Sequence, residues 1–142
     1  MVNKMLTSVY FFLSIFFQSC NGEEPSIKEI AGVWNNADGA QIHLKEDGTF
    51  IGKNLPSQLF FAATNEYNDK QFKGTGNWII RKEQSFWEVQ LNFKETSNQH
   101  YRYGHSVLIS GEKGILENHP PWYLFLWKEE QGGERYEFKK IK

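Results

Sequence analysis

From Ile42 to Gly52 apolar and polar residues alternate with a period of two, and the alternation is interrupted only by Glu46-Asp47-Gly48. Alternation of this kind predicts two half-buried strands joined by a tight turn, because successive side chains of a strand point to opposite faces. Register follows from which residues must share a face. A two-residue Asp47-Gly48 loop would place Phe50 on the face away from Ile42 and Leu44. A three-residue loop, with Gly48 left-handed as a bulge, pairs Lys45 with Thr49 and Leu44 with Phe50 and keeps the apolar set together. The second register is the expected one. Ala37-Asp38-Gly39-Ala40 is a further turn signal, so the strand carrying Val33 and Trp34 folds back on Ile42 and Leu44 as the start of a meander.

The same period continues downstream. Gly74-Thr75-Gly76-Asn77-Trp78 reads as a strand whose glycines mark a bend or a close backbone approach. In Phe86 to Lys94 the residues Trp87, Val89, Leu91 and Phe93 point one way and Glu88, Gln90, Asn92 and Lys94 the other, as in an antiparallel sheet with one wet face. Tyr101, Tyr103, His105, Val107 and Ile109 share a face of a further strand. Ile115-Leu116, Trp122 to Trp127 and Arg135 to Ile141 complete the series. Trp122 to Trp127 is apolar on both faces, so one of its faces is expected to be left for a partner or a membrane.

Two segments break the pattern. Ser26 and Glu29 are spaced as a capping box around one helical turn at residues 26–31. Pro56, with Leu55, Leu59 and Phe60 around it at helical spacing, predicts a short helix or a lid over one end of the sheet. About eight strands without βαβ alternation predict an all-β, antiparallel up-and-down meander, closed into a small barrel or strongly curled.

Residues 1–19 carry a basic start at Lys4 and an apolar run from Leu6 to Phe17, the pattern of a signal peptide too short to span a membrane comfortably. The run ends Gln18-Ser19-Cys20-Asn21, which resembles a bacterial lipoprotein signal, in the looser form found in Bacteroidetes-type lipoproteins. That resemblance implies acylation of Cys20 (thioether lipid, palmitate) and a lipid-anchored protein of the cell envelope, on the outer membrane. The chain holds a single Cys, which cannot form an internal disulfide, and this agrees with such a role. Residues 20–26 then form a polar tether and residues 27–142 the β domain.

Gly32-Val33-Trp34 after a short helical turn resembles the opening of lipocalins and related calycin barrels. In that family the Trp closes one end of the barrel and a basic residue on a late strand packs over its indole, for which Arg135 is the candidate. The pattern Gly-x-Trp, Asp-Gly-Thr-Phe, Leu-Pro, Gly-x-Gly-x-Trp and Gly-x-Arg-Tyr-x-Phe also resembles a group of exported bacterial proteins with no assigned activity.

Chemistry is sparse. His43, His100, His105 and His119 form no His-x-His or His-x₃-His pair, so no metal or other cofactor is expected. Ser106 lacks a nucleophile-elbow context, and the glycines open no phosphate loop. Among the 142 residues the formal net charge is −1, which leaves no basic footprint for a nucleic acid. Aromatic residues make up 16% of the chain, and Trp34, Phe50, Trp78 and Trp87 either line a cavity for a small apolar ligand or fill the interior. The sequence thus predicts a non-catalytic, membrane-tethered binding or interaction module. Its partner is either an apolar ligand or an envelope protein.

Overall fold

The computed structural model describes residues 22–61, 70–97, 104–111, 119–128 and 133–142. Helix α1 (Ile27–Ile30) is followed by strands β1 (Gly32–Asn35), β2 (Gln41–Leu44) and β3 (Thr49–Pro56), then helix α2 (Ser57–Phe60). Strands β4 (Gln71–Glu83), β5 (Phe86–Thr96), β6 (Gly104–Ser110), β7 (Tyr123–Trp127) and β8 (Arg135–Lys140) follow among the described residues. Every strand pairs antiparallel with its sequence neighbour, and β8 returns to β1, with Trp34 opposite Lys140, to close an eight-stranded barrel. This all-β meander is compatible with a lipocalin-like barrel. The predicted strand at Ile115-Leu116, together with Tyr101 and Tyr103, lies outside the described residues.

The β2–β3 turn adopts the three-residue register. Leu44 pairs with Phe50, Lys45 N–H donates to Thr49 O at 2.9 Å, and Gly48 sits at φ +83°. Asp47 Oδ1 accepts from the Thr49 N–H at 2.9 Å and from its hydroxyl at 2.6 Å, which fixes the turn from inside. The capping box also forms: Glu29 N–H donates to Ser26 Oγ at 3.3 Å, and Ser26 N–H donates to Glu29 Oε2 at 2.8 Å. That backbone bond, then the Ser26 hydroxyl, holds the Glu29 carboxyl below its ordinary pKa.

Period-two alternation delivers the core. Ile42, Leu44, Phe50, Leu55, Phe72, Trp78, Val89, Leu91, Phe93, Val107, Ile109, Leu124, Leu126 and Phe138 are all buried. Gly76 sits where β4 passes closest to β5, and a Cβ there would run into the Asn92 carbonyl oxygen. The β4–β5 register shifts between Thr75 and Gly76, so this glycine marks both the bulge and the close approach.

Two outward positions are buried: Glu88, on the expected wet face of β5, and Phe125, on a face of β7 expected to be left for a partner or a membrane. Glu88 is buried, with its Oε1 taken by Arg81 Nη2 at 2.7 Å and Nε at 2.9 Å. Phe125 is fully buried because the Arg135 guanidinium lies over its ring at 4.3 Å. The outer face of β7 is therefore capped rather than bare. Leu124 and Leu126 point into the barrel, and only Trp127 remains substantially exposed.

Candidate functional site

One end of the barrel is plugged by α1 and two indoles. Ile30 is buried beneath α1, and its carbonyl accepts from Trp34 Nε1 at 2.8 Å. Trp78 Nε1 donates to Lys45 O at 2.8 Å, which ties the start of the β2–β3 turn to β4. Both indoles satisfy their polar edge on backbone carbonyls, as buried tryptophans require. The cation over Trp34 is Lys140, whose ammonium lies 5.9 Å from the ring and donates to Glu29 O at 2.7 Å. Arg135, the residue expected there, lies instead on the outer surface, over Phe125 and, at 5.4 Å, over Trp127. Strand parity explains the exchange. Lys140 is in phase with the inward Tyr136 and Phe138, and Arg135 is out of phase with them.

The opposite end is closed by rings. α2 brings Phe60 against Phe72 at 5.6 Å and against Phe93 at 6.2 Å. Phe50 meets Phe93 edge to face at 5.1 Å, and Phe72 meets Phe93 at 5.6 Å. His105 enters this cluster, its ring 4.8 Å from that of Phe60. Burial pulls its pKa below 6.5, and the charge of Glu88 opposes that shift. Its phase with Val107 and Ile109 is the sequence signal for an inward histidine.

The candidate residues therefore do not converge on one cavity. Trp34 and Trp78 plug one end, Phe50 joins the ring cluster, and Trp87 packs half-buried on the β4–β5 hairpin with Lys82 Nζ 5.5 Å from its ring. Arg135 stands outside, and Cys20 lies outside the described residues. Among the described residues no three His, Cys, Asp or Glu side chains gather to hold a metal ion, and no helix is long and apolar enough to cross a membrane.

Two concave surface features lie on the outside of the plugged end, and a third, of about 510 Å³, lies between the β1–β2 turn and β8. A groove of about 590 Å³ runs between Pro25 and Ile27 on one side and Trp78, Ile79 and Ile80 on the other. Glu24 and Glu46 also line it. A second, of about 570 Å³, lies between Trp122 and Tyr123 and the C-terminal Lys139 to Lys142. Trp122 is buried in its wall beside Glu29, and among the described residues its Nε1 makes no hydrogen bond. No local pattern of residues signals the first groove, because it depends on strands of unequal length. Comparison with protein-family models, with curated proteins and with solved structures finds no match to the chain.

Proposed function

We propose that the chain is a non-catalytic interaction module of the bacterial cell envelope, a lipocalin-like barrel tethered through an acylated Cys20. The observation that carries this reading is the contact of Phe50, Phe60 and Phe72 with Phe93 across the barrel interior. A carrier needs space where those rings meet, whereas close-packed rings leave recognition to the outer surface. The dispersed candidate residues support a non-catalytic role, since catalysis needs polar groups held together in a cleft. The lipid anchor rests on the sequence from Lys4 to Cys20 and on its likeness to lipoprotein signals.

Two measurements test the two halves of the proposal. Cells expressing the chain and fed an alkyne-bearing palmitate are expected to label it, and Cys20→Ser is expected to abolish the label. Persistent labelling of that variant would remove the anchor from Cys20. Tryptophan fluorescence titrated with fatty acids and envelope lipid extracts is expected to stay flat. Saturable quenching, lost on Trp34→Phe in a variant that still folds, would replace the interaction module with a carrier.

A further inference from the structure

We propose that the exposed edge of β4 accepts an extended basic and apolar peptide segment from another protein as an added strand. This rests on the reading of the chain as an interaction module and names the surface it would use. β3 begins at Thr49 opposite Asn77, while β4 continues to Glu83. From Ile79 onward β4 is paired with β5 alone among the described strands. The last contact on the other side is Trp78 N–H donating to Gly48 O at 2.8 Å. In an antiparallel strand, backbone groups alternate sides residue by residue, so Ile80 and Lys82 present their N–H and C=O groups to that open side. Unpaired edge groups of this kind template a further strand.

The groove between α1 and β4 lies alongside this edge. Trp78 and Ile80 line it, and Ile27 and Ile79, 55% and 50% exposed, give it an apolar margin. Glu24 and Glu46 line it too, and neither forms an ion pair among the described residues. The nearby cations of the hairpin are engaged elsewhere. Arg81 is held by Glu88 and, at 3.4 Å, by Glu83, and Lys82 lies over Trp87. The groove therefore offers apolar contact flanked by unpaired carboxylates, which fits alternating aliphatic and Lys or Arg side chains. A second copy of the same edge fits poorly: setting Ile80 opposite Lys82 in antiparallel register brings Arg81 against Arg81.

The test follows amide hydrogen exchange of the full chain in detergent micelles, with acetyl-Val-Lys-Val-Lys-Val-amide as the probe and the Glu-for-Lys peptide as control. Slowed exchange at Ile80 and Lys82 N–H with the Lys peptide, and less with the Glu peptide, is expected. Lys82→Pro removes an outward N–H and the Lys82 contact with Trp87 but no β4–β5 backbone hydrogen bond. It is expected to weaken binding at least about fivefold, the effect of one backbone hydrogen bond, whereas Lys82→Ala, which loses only the side-chain contact, is expected to bind as the native chain does. The Glu24→Gln, Glu46→Gln double variant, altered only at exposed positions, is expected to bind the two peptides alike. Unchanged exchange at Ile80 and Lys82, or undiminished binding by Lys82→Pro, overturns the proposal. So does protection that grows with protein concentration in the absence of peptide, which would give the edge to a second copy. Flat lipid titrations alongside such a failure would leave the interaction module standing and remove only this surface.

Discussion

The β2–β3 and β4–β5 hairpins are of similar chemistry and opposite circumstance. The first is held from both sides: β1 flanks it, and Trp78 and Asn77 of β4 bond to Lys45 O and Gly48 O across its turn. The second projects past the end of β3 and is open on that side; β6 flanks it on the other as far as Trp87, and its tip adds its own cross-strand pairs, Arg81 with Glu88 and Lys82 with Trp87. Turn chemistry follows the same division. Gly48 takes φ +83° in the braced turn at no steric cost, whereas Gln84 takes φ +53° in the projecting one and carries a Cβ there. A turn built into the barrel must have one geometry, while a turn at a free tip tolerates strain that nothing else depends on.

The largest test of this contrast is Trp78→Ala, which removes a buried indole and the brace on Lys45. It is expected to cost about 3–5 kcal/mol in urea unfolding. A loss under about 1 kcal/mol, well short of that range, would show that the β2–β3 turn stands without the indole of β4. Arg81→Ala leaves the buried Glu88 carboxylate without its partner. Because Arg81 is itself 44% exposed, the expected cost is about 2 kcal/mol, below that of a fully buried broken pair. No change would mean that the projecting tip contributes nothing to the fold.

Gly48→Ala places a Cβ at positive φ and is expected to cost about 1–2 kcal/mol, read as a shift of the urea midpoint. Gln84→Gly relieves the corresponding strain at the free tip and is expected to add up to about 1 kcal/mol of stability. If both substitutions shifted stability in the same direction, the division between braced and free turns would fail. The smallest effect is in acid. Bonds from the Thr49 hydroxyl and then its N–H hold the Asp47 carboxyl below its usual value of 3.8. A lowered folded pKa contributes stability above the unfolded value and loses it as pH falls through the folded one. The Tm of the native chain is therefore expected to fall more steeply below pH 3.8 than that of Asp47→Asn.

Much of the fold is legible in local chemistry alone. The capping box at Ser26 and Glu29, the Leu44–Phe50 register and the inward row Val89, Leu91 and Phe93 each depend on residues a few positions apart. What local patterns do not carry depends on distant strands. Parity within β8 turns Arg135 away from the interior, but that Lys140 is the residue to reach Trp34 is set by where β8 meets β1. Glu88 reads as solvated from the polar residues in phase with it on β5, and its burial comes with Arg81 across the hairpin. The candidate site is legible as residue types but not as a place: Trp34, Phe50, Trp78, Trp87 and Arg135 have the chemistry of a lining or a closure, and the barrel distributes them to different surfaces.

The seam between β1 and β8 has a consequence in time. Trp34 faces Lys140, and Lys140 also reaches Glu29, 111 positions earlier in the chain. Contacts of such separation carry the greatest loop-closure cost and slow folding most. A chain still emerging, vectorially from its N-terminus, holds β1 early but has nothing to pair with its outer edge until the last strand arrives. Closure of this barrel is a late event, timed by delivery of β8.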